Sequence, residues 1–195
     1  MQTAHQTREK SDFHGMIGRS DSMRRVYDLI GRFAGMDNNV LITGETGTGK
    51  ELVARALHEA GSRAGNALIR VNCAALSESL IESEFFGHTA GAFTDAAGDR
   101  AGYFEAVGGG TIFLDEIAEL SRRSQAKLLH VLDRKMFERV GDSRTERFDV
   151  RIIGATNADL KTYVREGKLR EDICFRLREF SIRLPPLRDH MEDIL

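Results

Sequence analysis

Tryptophan is missing from this 195-residue sequence, and proline and cysteine occur only twice each. Cys73 and Cys174 stand alone without CxxC spacing, which argues against a disulfide and for buried free thiols in a reducing compartment. The six histidines form no ligand cluster. An excess of one charge is lacking too. Lys and Arg total 28 against 30 Asp and Glu, and the net charge of −2 leaves no electrostatic footprint for nucleic acid. Nor is there a helix-turn-helix candidate or a basic-aromatic stretch. No apolar run approaches the length of a membrane span, and the opening MQTAHQTREK lacks a signal-peptide core. The expected setting is the cytoplasm, with no membrane partner. Lysine is scarce beside arginine, 6 against 22, which lowers the weight of any single arginine.

What is present is an ordinary globular balance, 41% hydrophobic and 30% charged, enough for one sizeable core. Within it, an apolar VLIT run leads into GETGTGK: Gly44, Glu45, Thr46, Gly47, Thr48, Gly49 and Lys50. Glycines at this spacing let successive backbone N–H groups turn toward phosphate oxygens with no Cβ in the way. Lys50 adds a point charge near the β/γ-phosphates, and the helix it opens points its positive end at the anion. Chance alone produces GxxxxGK in roughly one chain in twenty of this composition, so the flanks matter. After the loop, Leu52, Val53, Ala56, Leu57 and Ala60 recur at helical spacing. The other reading is a plain glycine loop between strand and helix. Glu51 stands where Ser or Thr would usually coordinate Mg²⁺, so a metal here relies on Asp115, phosphate oxygens and water.

The run TIFLDE reads as a buried central strand with Asp115 at its carboxyl end, where open α/β sheets bind ligands. Asp115 would hold Mg²⁺, directly or through water, and Glu116 would polarise an attacking water. An edge strand ending in solvated acids is the alternative.

Residues 1–12 are polar and read as a lead-in or linker; residues 13–195 read as one α/β unit. Strands are expected at 40–43, 68–72, 111–115, 150–156 and 180–184, and helices at 22–33, 50–60, 77–86, 121–133 and 160–166. Alternation of this kind argues a parallel sheet covered by helices on both faces. Residues 135–149, charged and centred on Gly141, read as a protruding hairpin. Pro185 and Pro186 break the last strand, and the following residues resemble the opening of a helix that stops at Leu195. The expectation is a fragment, truncated at about 185–195.

Taken together, GETGTGKE, RVNCAAL, ESEFFGH, GAFTDA, GGGTIFLDEI, ERVGD, GATNADL, LREDICFRL and LPPLRD resemble, in order, the AAA+ domain of bacterial enhancer-binding proteins. These are the ATPases that activate sigma-54 RNA polymerase, and the likeness runs from about Phe13 to Leu195. It implies a P-loop AAA+ core, ATP and Mg²⁺ as ligands, ATPase activity, and self-association into a ring, usually of six. It implies the sigma-54 RNA polymerase holoenzyme as partner, with DNA reached only through a domain outside this sequence. The family's helical lid, carrying a further arginine sensor, would follow Leu195, so turnover by this chain is expected to be weak.

The same resemblance assigns roles residue by residue. In the family the GAFTGA loop grips sigma-54; here it is Gly91, Ala92, Phe93, Thr94, Asp95 and Ala96, with Phe93 and Thr94 matching the contact residues. Taken alone, the hexapeptide reads as a surface loop with one buried phenylalanine. Asp95 departs from the usual glycine, which puts productive engagement in question. Asn72 matches a switch asparagine that holds Glu116, or else caps a strand-end turn. Thr156 and Asn157 match sensor I. Arg170 and Arg176 match arginine fingers reaching a neighbouring subunit's ATP, or else lie on a solvated helix face. On one continuous helix they would lie about 120° apart. Ile17 and Gly18 match the adenine-side contact, or else form a turn with a core isoleucine. Two other functions remain open: an AAA+ remodeller of a different client, and a nucleotide-dependent interaction module without efficient turnover.

Overall fold

The computed structural model describes residues 12–94 and 96–194. A two-residue antiparallel pair, β1 (Asp12–Phe13) and β2 (Met16–Ile17), precedes α1 (Asp21–Ala34). Ser20 caps α1 by accepting from the Met23 N–H, and Met23, Val26, Ile30 and Phe33 form its buried stripe at helical spacing. Then come β3 (Val40–Thr43), α2 (Lys50–Glu59), β4 (Leu68–Asn72), α3 (Glu78–Phe86) and a one-turn α4 (Tyr103–Ala106). The second half holds β5 (Thr111–Asp115), α5 (Arg122–Arg134), the β6–β7 hairpin (Met136–Glu138, Thr145–Arg147), β8 (Arg151–Thr156), α6 (Leu160–Arg165), α7 (Glu171–Leu177) and β9 (Phe180–Arg183).

Five strands form one parallel sheet in the order β4-β5-β8-β3-β9. Side chains alternate between its faces, as the pleat requires. Leu41, Ile112, Leu114 and Ile152 join the core under α3, α4, α5 and α7, while Val40, Ile42, Phe113, Ile153 and Ala155 pack against α1 and α2. Helices on both faces explain why these strands read as unbroken apolar runs. From β3 the chain leaves through α2 to β4 at one edge; from β8 it leaves through α6 and α7 to β9 at the other. The carboxyl ends of β3 and β8 therefore flank the switch point where an open α/β sheet opens a crevice.

At the opposite end of the sheet, Arg151 is 2% exposed. Its guanidinium donates to the carbonyls of Phe33 and Ala34 at 2.7 and 2.9 Å and to that of Leu57 at 3.4 Å, tying together the C-terminal ends of α1 and α2. Arg151→Met keeps the bulk and orphans those carbonyls. The expected loss is about 2–4 kcal/mol of unfolding free energy, read in a urea titration; a loss under about 0.5 kcal/mol would contradict the bracing role.

Two expectations need correction. After Pro186 the chain makes two 3₁₀ turns, Leu187–Asp189 and Met191–Asp193, in place of an opening helix. The cause is tertiary: the Asp193 carboxylate caps the N–H groups of Arg19 and Ser20. Arg170 is not on a helix with Arg176. It is the extended residue before α7, with ψ 136°, and its N–H donates to Gln125 Oε1 at 2.9 Å. Cys73 and Cys174 are buried free thiols.

Candidate functional site

Residues 44–50 follow β3 directly and wrap the N-terminus of α2. Gly47 and Gly49 take φ of +81° and +92°, which is the left-handed region where glycine is favoured. A Cβ on Gly44 would lie 2.9 Å from Thr48 Oγ1 and 3.0 Å from the Leu184 side chain, so the loop closes only around hydrogen there. Thr48 Oγ1 donates to the Glu45 carbonyl at 2.7 Å and the Gly44 N–H to the Thr156 carbonyl at 3.3 Å, fixing the loop to itself and to β8. Lys50 is 7% exposed, and its Nζ donates to the carbonyls of Gly44 and Glu45 at 3.1 and 3.2 Å. An ammonium folded over a glycine cradle at a helix N-terminus fits a polyphosphate chain.

The acids stand across the crevice. Parallel register sets Asn72 beside Asp115 and Thr43 beside Thr156 along the carboxyl edge of the sheet. Asp115 Oδ1 accepts from the Glu116 N–H at 3.0 Å. Glu116 itself is left-handed, φ 50° and ψ 47°, uncommon for a residue with a side chain. That turn brings its carboxylate 3.9 Å from Lys50 Nζ and 3.3 Å from the Asn157 N–H. Asn157 Nδ2 also donates to Thr46 Oγ1 at 2.9 Å, so Asn157 links the acid to the phosphate loop. Thr156 is buried and its Oγ1 accepts from the Ala158 N–H at 3.0 Å. The structure thus joins the loop, Asp115, Glu116, Thr156 and Asn157 into one cluster. It can hold an anion and place a carboxylate beside it.

Other expected residues lie around this cluster. The Asn72 side chain accepts from the Ala74 N–H at 2.9 Å, as a turn cap does. Cys73, next to it, is pushed up to about 12 by burial first and then by the Asp115 and Glu116 carboxylates, so its thiol stays protonated. Glu51 is exposed and ion-paired with Arg70 on β4. Ile17 is exposed on β2, and a Cβ on Gly18 would be tightly placed, 3.0 Å from Asp193 Oδ2 and 3.1 Å from the Met23 side chain. Arg170 pairs with Asp172 at 2.8 Å and Arg176 with Asp133 at 2.5 Å, on the surface around the exposed Phe175.

The GAFTDA loop leaves the C-terminal end of α3. Its root is pinned where His88 bridges Arg100 and Val140, and the Gly91 N–H donates to the Ala96 carbonyl at 2.9 Å. Phe93 is 44% exposed, with its ring 4.9 Å from that of buried His88. It belongs to the surface and not to the core. Gly141 of the β6–β7 hairpin abuts Ala92, where a Cβ would lie 2.7 Å away. Asp95 lies outside the described residues.

Sequence reasoning did not single out Arg188, Asp193, Ser20 or Arg70. Arg188 forms a two-pronged pair with Glu45 of the phosphate loop at 2.6 and 2.8 Å. Burial alone would raise Asp193, but donors from Ser20, Arg19 and His190 outweigh it and hold the carboxyl at about 2. A value below the ordinary 3.8 means its stabilisation is present above about pH 4 and is lost as pH falls toward about 2. The Arg19 and Ser20 amide resonances should titrate in that window; a midpoint near the ordinary carboxyl value of about 4 would contradict the clamp.

A parallel sheet with a glycine-rich phosphate loop after β3 and paired acids after β5, one strand removed across β8, defines a P-loop NTPase domain of the α/β class. Comparison with known proteins narrows this. The chain belongs to the Sigma-54 interaction domain family, whose model matches residues 16–183. It is 52% identical over 190 residues to the Nif-specific regulatory protein of Azotobacter vinelandii, covering 97% of this chain and 36% of that protein. It is 54% identical over 180 residues to the anaerobic nitric oxide reductase transcription regulator NorR of Citrobacter koseri, covering 92% and 36%. The chain therefore spans about a third of the length of these relatives. Among solved structures, NtrX of Brucella abortus in complex with ATP superposes with a TM-score of 0.85 at 37% identity, over 92% of this chain and 38% of that one. The P-loop NTPase domain of a sigma-54 activator from E. coli, at 20% identity and TM-score 0.59, shares the fold over 88% of this chain and 99% of that one. Among the described residues, no helix is long and apolar enough to cross a membrane.

Proposed function

We propose that this domain binds ATP in the crevice between β3 and β8, hydrolyses it, and uses the change at the γ-phosphate to move the GAFTDA loop against sigma-54 RNA polymerase in transcription activation. The observation that carries the reading is Glu116. Its carboxylate is held between the Asn157 N–H at 3.3 Å and Lys50 Nζ at 3.9 Å, directly beside the phosphate loop.

The residues divide the work. Backbone N–H groups of residues 44–50 cradle the phosphates, and Lys50 exchanges its two carbonyl partners for phosphate oxygens. Glu116 orients a water for in-line attack and takes its proton. Asn157, bonded both to Glu116 and to Thr46, registers whether the terminal phosphate is present. Asp115 has one oxygen committed to the Glu116 N–H, and Glu51 is turned to Arg70, so Asp115 fits as the side-chain partner of Mg²⁺. The ion's contribution when bound is to neutralise charge between the β- and γ-phosphates. Ile17 and Gly18 border the base.

Asn72 starts the turn leading into α3, and α3 ends at the root of the GAFTDA loop. This helix is the mechanical link in the reading, and Phe93 and Thr94 are the contact points with sigma-54. Asn72 serves the link by releasing Ala74 and taking hold of Glu116 as the phosphate state changes. Arg170 and Arg176 act on a neighbouring subunit's ATP once chains assemble into a ring, exchanging Asp172 and Asp133 for phosphate. The setting is cytoplasmic, and contact with DNA falls to other parts of the regulator. Turnover per chain should therefore rise steeply with protein concentration and fall more than about tenfold in Arg176→Ala. Concentration-independent turnover would remove the trans arrangement.

A further inference from the structure

Residues 184–193 run on from β9 past the phosphate loop to the residues that open α1. On the phosphate side, the Leu184 N–H donates to the Thr43 carbonyl at 2.8 Å, and Arg188 grips the Glu45 carboxylate with both terminal nitrogens at 2.6 and 2.8 Å. At the far end of the segment, the Asp193 side chain is 2% exposed. Its Oδ1 accepts from the N–H groups of Arg19 and Ser20 at 2.7 and 2.9 Å, and its Oδ2 accepts from Ser20 Oγ at 2.6 Å. His190 Nδ1 approaches the same Oδ2 at 3.2 Å. Arg19 and Ser20 directly follow Ile17 and Gly18.

We propose that residues 184–193 form a strap that fixes the phosphate side and the base side of the site to each other, with Arg188 and Asp193 as positioning residues for ATP. The proposal rests on the ATP reading above. Its electrostatic half follows from the charges. Glu45 places a carboxylate in a loop that must receive a polyanion, and a bidentate guanidinium is the group that cancels it in fixed geometry. Both partners are more than half exposed, at 67% and 56%, so the effect is modest and fades as salt rises. The geometric half follows from Asp193. An amide at this position would turn an NH₂ toward donors and release the start of α1, moving the base side while leaving the phosphate loop in place.

The test compares ATP with inorganic tripolyphosphate, which has no base, by calorimetry on the whole chain. Arg188→Ala should weaken both ligands about fivefold at low salt, and Glu45→Gln/Arg188→Ala should regain most of that loss. Asp193→Asn should weaken ATP about tenfold and leave tripolyphosphate unchanged. Ser20→Ala, a milder cut of the same clamp, should shift ATP affinity in the same direction by a smaller factor. Equal affinities for Arg188→Ala and the double variant, or equal losses of both ligands in Asp193→Asn, would overturn the strap. Hydrogen exchange without nucleotide separates the two readings. Faster exchange at residues 44–49 in Arg188→Ala and at residues 19–24 in Asp193→Asn supports the strap, and unchanged exchange in both overturns it. Failure of the unaltered chain to bind ATP overturns the ATP reading instead.

Discussion

Glu116→Gln should bind ATP as tightly as the unaltered chain and hydrolyse it at least about a hundredfold more slowly. The substitution is close to isosteric. A glutamine carbonyl can still accept from the Asn157 N–H, so the left-handed turn and the link through Asn157 to Thr46 persist. What disappears is the basic oxygen that takes a proton from water. The negative partner 3.9 Å from Lys50 also disappears, so phosphate binding should hold or tighten slightly. Calorimetry for binding and phosphate release for turnover separate the two effects. Undiminished turnover would remove Glu116 from the chemistry and with it the assignment of the paired acids.

The second large effect is at Lys50. Nζ is folded into the loop, held by the Gly44 and Glu45 carbonyls in a setting where the residue is 7% exposed. Lys50→Ala removes a charge that faces a polyanion at close range and frees two loop carbonyls to point into the crevice. Affinity for ATP should fall by about a hundredfold or more. Lys50→Met, which keeps the stem, should lose nearly as much, because charge carries the effect. Unchanged affinity in both variants would count against residues 44–50 as the phosphate site.

The sheet was legible because its chemistry is local. VLIT, TIFLD and RIIGAT are apolar runs long enough for buried parallel strands, and Gly44, Asp115 and Asn157 mark where they end. Helix stripes such as Met23, Val26, Ile30 and Phe33 carry their own period. Four-residue α4 is too short to show one. A helix shared by Arg170 and Arg176 is not formed, because Arg170 is held extended before α7 by Gln125, 45 residues away. The site divides the same way. A loop defined by consecutive glycines can be read from sequence, as can a strand ending in two acids. The Arg188–Glu45 and Asp193–Ser20 contacts join residues 143 and 173 apart in ordinary polar surface types, and no periodicity announces them. Asn72 shows the limit from the other direction: the sequence leaves a Glu116 partner and a strand-end turn cap both open, and the side chain is found capping the Ala74 N–H.

On the proposed function, nucleotide state in the crevice governs engagement of sigma-54 through the GAFTDA loop. Native-gel capture of purified sigma-54 by this chain tests it most directly, with ADP plus aluminium fluoride mimicking the transferring phosphate. The expected result is a shifted band that requires the phosphate mimic and is lost in Phe93→Ala. Absence of the band from a chain that binds the nucleotide, or a band indifferent to nucleotide and to Phe93, would contradict it.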